Sequence, residues 1–197
     1  MMPVQQVYSE SVDLSIGKSD TLLPNQQYLI EILTAQRSGD GCLPLHLGLN
    51  EFEFKQLANR HFKGLKQCVS DVEIFSENNE IRQELLDLRQ TEWQDLVNLL
   101  NNFAKGADLS EHWLAQIIAA GCMGSDHLWR DLGLPDRHSL RELFMDNFPA
   151  LADKNTGDMR WKKFLYRQLC EQGGHFICRS PSCDACPTYN DCFGDEA

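Results

Sequence analysis

The clearest indication of fold class is the segment Asp158-Met-Arg-Trp-Lys-Lys-Phe-Leu-Tyr-Arg-Gln-Leu-Cys170, whose apolar residues recur with the period of an amphipathic helix. At about 100° per residue, its large apolar side chains fall on one side of the helix: Trp161, Phe164, Leu165 and Leu169. Apolar residues recur at helical spacing through most of the preceding chain, and no alternating strand pattern is convincing. The sequence therefore predicts an all-α fold.

Residues typical of helix starts and helix ends divide the rest of the chain into further helices. We expect helices at residues 26–37, 50–60, 79–103 and 157–170, a helix capped by Ser110, and one opened by the capping box of Ser139 and Glu142. The long helix 79–103 would carry one apolar face: Leu85, Leu88, Leu96, Leu100 and Phe103. We predict three parts, which are a loose N-terminal arm (1–25), a single helical domain (26–172) and an irregular C-terminal cysteine loop (173–197).

Size and charge exclude several classes of function. The 197 residues suffice for one domain with a proper core. The formal charge of −11 argues against nucleic-acid binding, which needs clustered Lys and Arg. Neither a secretion signal nor an apolar run of membrane-spanning length is visible, so we expect a cytoplasmic protein without membrane contact. No P-loop, dinucleotide fingerprint or Ser/His/Asp set indicates an enzyme.

The C-terminal segment concentrates metal-ligand chemistry. Four of the eight cysteines follow a C-x4-C-x2-C-x5-C pattern: Cys178, Cys183, Cys186 and Cys192. In a reducing cytoplasm this density indicates metal binding rather than disulfides. Zinc sites usually combine two separated C-x2-C knuckles, whereas one short loop around one centre is more typical of an iron–sulfur cluster. The spacing favours a cluster and leaves structural zinc as the alternative.

Three cations precede the cysteine loop. Arg160, Lys163 and Arg167 recur at i, i+3 and i+7 of the predicted helix and form a basic stripe in an acidic chain. Such a stripe can attract a small oxyanion or an acidic patch on a partner protein. An ordinary solvated helix face is the alternative interpretation.

Five segments, in order along the chain, resemble the NifQ family of nitrogen fixation. They are Cys122-Met-Gly, Asp126-His-Leu-Trp-Arg-Asp-Leu-Gly-Leu134, Phe148-Pro-Ala-Leu-Ala152, Met159-Arg-Trp-Lys-Lys-Phe-Leu-Tyr-Arg-Gln-Leu-Cys170 and the cysteine pattern with Phe193-Gly194-Asp195 after it. The similarity is strong over about residues 110–193 and loose over 80–110. Residues 1–75 carry little of it.

The resemblance implies a molybdenum carrier rather than a turnover enzyme. Family members are thought to hold a molybdenum–iron–sulfur cluster and to donate molybdenum to the NifEN/NifH machinery that assembles the nitrogenase iron–molybdenum cofactor. On this basis Cys178, Cys183, Cys186 and Cys192 would bind a 4Fe–4S or Mo–Fe–S cluster. Molybdate would be the source of the metal, and the basic stripe its entrance.

Two other functions remain open at this stage. A zinc-stabilised helical interaction module would carry the same cysteines, and so would an iron–sulfur subunit for electron transfer. The remaining chemistry-bearing residues receive no assigned role: Cys42, Cys68, Cys122, Cys170, His127 and His175. For Cys122 we favour the ordinary role of a buried small apolar group.

Overall fold

The computed structural model describes residues 22–62 and 76–173, together with Asn190 and Gly194. Regular structure in these residues is entirely helical, which confirms the all-α prediction. Most of the N-terminal arm and nearly all of the cysteine loop lie outside the described residues. None of the described helices is long and apolar enough to cross a membrane.

Nine helices follow one another in the described ranges. They are α1 (Gln26–Ser38), α2 (Glu51–His61), α3 (Ser76–Leu88), α4 (Gln90–Asn102), α5 (Ser110–Cys122), α6 (Leu128–Leu132), α7 (Arg137–Asn147), α8 (Pro149–Ala152) and α9 (Trp161–Gly173).

Helix α5 forms the centre of the core. Every one of its residues except His112 is buried, as expected for a helix that is apolar on most sides. It packs against α4 and α6. Gly121 allows the close approach of α6, because a Cβ at that position would lie 2.7 Å from Cδ2 of Leu132.

The predicted single helix 79–103 is wrong, since the chain bends at Arg89 between α3 and α4. Arg89 has φ −110° and turns its guanidinium to the carbonyl oxygen of Met123, at 2.9 Å. The two halves therefore present different faces. Leu96 and Leu100 are fully buried, whereas the apolar residues of α3 assigned to the same face are exposed.

Two predicted helix starts also differ from those observed. Asp136 caps α7 by accepting hydrogen bonds from the N–H and Oγ of Ser139, at 2.7 and 2.9 Å, so the helix begins before the predicted capping box. Helix α9 begins at Trp161 instead of residue 157. The Asn155 side chain bonds both the N–H and the carbonyl of Met159, at 2.8 and 2.9 Å, and holds that segment in a turn.

The apolar face predicted for α9 is confirmed. Trp161, Phe164 and Leu165 are buried. The Trp161 ring stacks on Phe144 of α7 with 3.9 Å between ring centroids and 5° between ring planes. This contact fixes the N-terminal end of α9, where the predicted basic stripe begins.

Candidate functional site

The predicted cluster ligands Cys178, Cys183, Cys186 and Cys192 lie outside the described residues, as do His175 and Cys68. The assignment of the four cysteines as ligands therefore stays a prediction. The basic stripe is described in full.

The structure divides the basic stripe between two surfaces. Arg160, directly before α9, and Lys163, in its first turn, line one open cleft of about 300 Å³. Arg167 lines a different cleft, and its Nε donates to Glu171 at 2.9 Å. Arg160 and Lys163 thus share a cleft that Arg167 does not enter.

The opposite wall of this cleft is the loop between α5 and α6. Residues 124–128 form that wall, and they include His127. The fold therefore brings His127 together with Arg160 and Lys163. We refer to the space between this loop and the start of α9 as the basic cleft.

A buried ion pair holds the two walls together. Lys162 contacts the carboxylate of Asp131 in a short ion pair, with the two side chains 17% and 7% exposed. The same Lys162 ammonium donates to the carbonyl oxygen of Gly124 at 2.9 Å, while Asp131 accepts from the N–H of Asp126 at 3.0 Å. Gly124 has no room for a side chain, because a Cβ there would collide with the Asp131 carboxylate. Lys162 therefore has a structural role, and its charge is already neutralised by Asp131.

The electrostatics of the basic cleft favour an anion. Residues 161–163 line it, and their N–H groups belong to the first turn of α9, where they have no acceptor within the helix. The first backbone hydrogen bond of α9 is donated by the Phe164 N–H to the Arg160 carbonyl oxygen, at 2.9 Å. The helix N-terminus carries a partial positive charge, to which the Arg160 and Lys163 side chains add theirs.

Asp126 is an acidic residue on the same cleft. Its carboxylate accepts a hydrogen bond from the His127 N–H at 2.6 Å and lies 3.8 Å from Arg130. The bond from the His127 N–H lowers the pKa of Asp126, so the carboxylate is ionised at neutral pH. An anion bound in the basic cleft would therefore occupy the side nearer Lys163 and the helix end.

Gly194 lies close to Arg160 of the basic cleft. The N–H of Gly194 donates to the carbonyl oxygen of Asn190 at 2.9 Å. A Cβ at Gly194 would lie 3.5 Å from Nη2 of Arg160 and only 2.5 Å from that Asn190 oxygen. Glycine at this position thus permits a close turn of the chain directly beside Arg160.

Two cysteines of the helical domain lie behind the loop, where Cys122 is buried and Cys42 is partly buried. Both are free thiols, and burial raises the pKa of each to about 12. The Cys42 Sγ donates to the carbonyl of Gly121 at 3.7 Å. Among the described residues, no three His, Cys, Asp or Glu side chains are arranged to hold a metal ion. Cys122 is therefore packed as a small apolar group, whereas Cys42 also makes polar contacts.

A second polar cluster supports the middle of α9. Arg89 makes a two-pronged contact with Glu92, at 2.7 and 2.6 Å, and the Tyr166 hydroxyl donates to the same carboxylate. The bonds from Arg89 lower the pKa of Glu92. Burial and the bond to Glu92 raise the pKa of Tyr166. The cluster joins α4 to α9, and it shows no residue arranged for acid–base exchange at neutral pH.

Comparison with known proteins gives the family. The NifQ family model matches residues 28–194, which span the helical domain, the basic cleft and the whole cysteine pattern. The chain belongs to the NifQ family. NifQ proteins are named for nitrogen fixation, and the resemblance seen in five segments of the sequence is thereby confirmed over most of the chain.

Individual NifQ relatives align over most of their length. Protein NifQ of Azotobacter vinelandii is 49% identical over 174 residues, which are 87% of this chain and 89% of that protein. Protein NifQ of Klebsiella pneumoniae is 38% identical over 172 residues, 87% of this chain and 99% of that protein. A NifQ homolog of Sinorhizobium fredii is 38% identical over 147 residues, 75% of this chain and 60% of that protein. No solved structure matches this chain.

Sequence reasoning missed the pairing of Lys162 with Asp131. The two residues are far apart in the chain, and neither belongs to the basic stripe, yet their ion pair joins the start of α9 to the opposite side of the basic cleft. The signal was present only indirectly, since Asp131 and His127 fall within one family-like segment. Only the fold shows that this segment faces the start of α9.

Proposed function

We propose that this NifQ-family protein carries molybdenum for the assembly of the nitrogenase iron–molybdenum cofactor. It takes the metal up as molybdate, holds it on an iron–sulfur centre bound by Cys178, Cys183, Cys186 and Cys192, and passes it to the NifEN/NifH assembly proteins. It is a cytoplasmic carrier and not an enzyme. Family membership supports the biological setting, and the closeness of Gly194 to Arg160 supports the route of uptake.

The closeness of Gly194 to Arg160 is the main support for this proposal, because Gly194 follows the cysteine pattern and Arg160 lines the basic cleft. Cys192 precedes Gly194 by two residues, and a chain advances at most about 3.6 Å per residue. By chain length alone, the last cysteine of the motif is within about 7 Å of Gly194. We therefore expect an anion attracted to the basic cleft to be passed on to the thiolates that retain its metal.

The donor sets suit the two forms of the metal. Molybdate is a hard dianion, and cationic side chains with helix N-terminal amides are the groups that bind oxyanions. Thiolates and bridging sulfide are soft ligands, which retain molybdenum in an iron–sulfur environment. Four cysteines in one short segment provide such a set.

The contribution of the basic cleft to molybdate capture can be tested separately from the cysteines. Lys163 is exposed and has no ion-pair partner among the described residues, so its full charge faces the cleft. A dianion about 5 Å from one cation in water gains roughly 1.7 kcal/mol. Removing that cation should therefore weaken the capture of molybdate about tenfold, whereas Arg167 stands over another surface and is paired with Glu171.

The test compares metal loading in matched variants purified without oxygen. Lys163→Gln should load molybdenum from molybdate about tenfold more weakly, with its iron and sulfide content unchanged. Arg167→Gln removes the same charge from the same helix and should load normally. Equal loading of the two variants would contradict the role of the basic cleft.

The cysteine assignment has its own readout. Cys186→Ala should lose iron, sulfide and colour while the helical circular-dichroism spectrum is retained. Cys122→Ala is the matched control in the core and should keep its iron. Zinc without iron in anaerobically prepared wild-type protein would refute the carrier and favour a zinc-stabilised interaction module. Iron without any uptake of molybdenum would favour an electron-transfer subunit.

A further inference from the structure

Helix α3 exposes a continuous apolar ridge. Ile81, Leu85 and Leu88 are 56%, 54% and 81% exposed. At about 100° per residue, Leu85 and Leu88 lie roughly 40° and 20° to either side of Ile81. The three side chains, which we call the α3 ridge, therefore form one stripe along the helix. Large aliphatic side chains grouped in this way on a soluble protein mark an interaction surface.

The orientation of α3 is fixed by its opposite face. Leu86 is buried against the core at 8% exposure. Arg82 donates to the carbonyl oxygens of Gly41, at 2.8 Å, and Gly39, at 3.2 Å. These contacts hold α3 so that the α3 ridge points outward. Burying the ridge by rotating the helix would break the anchors and withdraw Leu86 from the core.

One border of the α3 ridge is acidic. Glu80, Glu84 and Asp87 are exposed and lie between roughly 60° and 120° to the same side of Ile81. None of the three makes an ion pair with the described residues. Asp87 accepts a hydrogen bond from the amide of Gln83 at 2.9 Å, which leaves its charge uncompensated. A surface that matches this face needs an apolar stripe with basic residues along one side.

We infer that the α3 ridge is a docking surface for an amphipathic helix of a partner protein, with Lys or Arg flanking its apolar stripe. Packing of helix ridges into grooves buries the aliphatic side chains, and the basic flank pairs with the acidic border. A second copy of this chain is a less favourable occupant. Antiparallel symmetric pairing would set acidic border against acidic border, and any pairing would join molecules of charge −11 each. The inference rests on the proposed function only in one respect, which is that the partner belongs to the assembly proteins that accept the molybdenum.

The first test uses probes that do not depend on the proposed function. Two 18-residue amphipathic peptides share a leucine stripe and differ only in Lys or Glu flanks. Binding to the full chain is measured by fluorescence anisotropy at low and at moderate salt. The Lys-flanked peptide should bind at least tenfold more tightly than the Glu-flanked one.

Variants locate that binding. The double change Leu85→Ser with Leu88→Ser should weaken binding of the Lys-flanked peptide at least tenfold, and Glu80→Lys with Glu84→Lys should reverse the preference between peptides. Phe52→Ser removes a residue that is 69% exposed on α2, and it should change nothing. All these side chains are exposed, so unfolding temperatures should stay within a few degrees of the wild type. Equal binding by the ridge variants and the wild type would overturn the inference.

A second test separates the surface from the proposed function. If purified NifEN complex binds wild-type protein and not the Leu85→Ser, Leu88→Ser variant, both are supported. If NifEN binds the wild-type protein and the variant equally, the inferred docking surface is wrong, while NifEN is still supported as the partner. If NifEN binds neither but the peptide results hold, the docking surface stands and the proposed partner is wrong. A wild-type dimer that becomes a monomer in the ridge variant by sedimentation would show that a second copy is the occupant, which overturns the inference.

Discussion

Replacing Lys162 by methionine should destabilise the fold by about 3 kcal/mol, because it leaves the Asp131 carboxylate buried without its cation, with only the Asp126 N–H and the Cys42 thiol as donors among the described residues. Breaking a buried pair from one side costs about 3–5 kcal/mol. We expect the lower end, since Lys162 retains 17% exposure and water can partly replace its ammonium. For a chain of this length, each 1 kcal/mol lowers the unfolding temperature by about 2–4 °C. The expected fall is therefore about 6–12 °C.

Two further variants make the reasoning refutable. Lys163→Met removes a neighbouring, exposed ammonium and should shift stability by no more than about 0.5 kcal/mol. Lys162→Met combined with Asp131→Asn removes both charges and keeps an acceptor for the Asp126 N–H, so it should recover most of the loss. Urea unfolding followed by circular dichroism measures all three. Equal stability of Lys162→Met and Lys163→Met, or no recovery in the double variant, would show that the buried pair does not hold the cleft walls.

Three other expectations follow from the same contacts. Cys42 and Cys122, with pKa values raised to about 12 by burial, should resist iodoacetamide at pH 8 in the folded protein and react once it is unfolded in urea, as mass spectrometry can show. The pKa of Glu92 is lowered by its bonds from Arg89, so its contribution to stability is complete above the unfolded value near 4.5 and is lost as pH falls below it. Glu92→Gln should therefore flatten the decline of the unfolding temperature as the pH falls below about 4.5, and an unchanged slope there would contradict this. Gly121→Ala should cost about 1–3 kcal/mol in urea unfolding, because its Cβ would overpack the interface with α6.

Local periodicity predicted those parts of the fold that depend on local sequence. The all-α class and the buried face of α9 follow from the 3.6-residue period, which is visible within one helix. The break at Arg89 was not predictable in this way. It is stabilised by the carbonyl of Met123, a partner 34 residues away, and nothing in the apolar pattern of residues 79–103 signals it.

In the candidate site, too, local sequence predicted some features and not others. The basic residues were found from their spacing, but spacing cannot tell which of them face one cleft. Lys163 meets the His127 loop, and Arg167 does not, because Lys162 is drawn to the buried Asp131 and fastens one end of α9 to that loop. Such a contact joins distant parts of the chain, so it becomes visible only when the fold is known. The cysteine pattern lies outside the described residues, so its assignment as a ligand set stays a prediction from spacing and family resemblance.

Arg89 connects the end of the α3 ridge to the neighbourhood of the basic cleft. Leu88, the most exposed member of the ridge, is followed directly by Arg89. The Arg89 guanidinium reaches the carbonyl of Met123 at 2.9 Å, and Met123 is adjacent to Gly124 in the cleft wall. The same guanidinium lies 3.3 Å from the Tyr166 hydroxyl in the middle of α9. A partner helix that packs over Leu88, as inferred above, would therefore contact the neighbour of a residue that links α3 to the segment before the cleft wall and to α9.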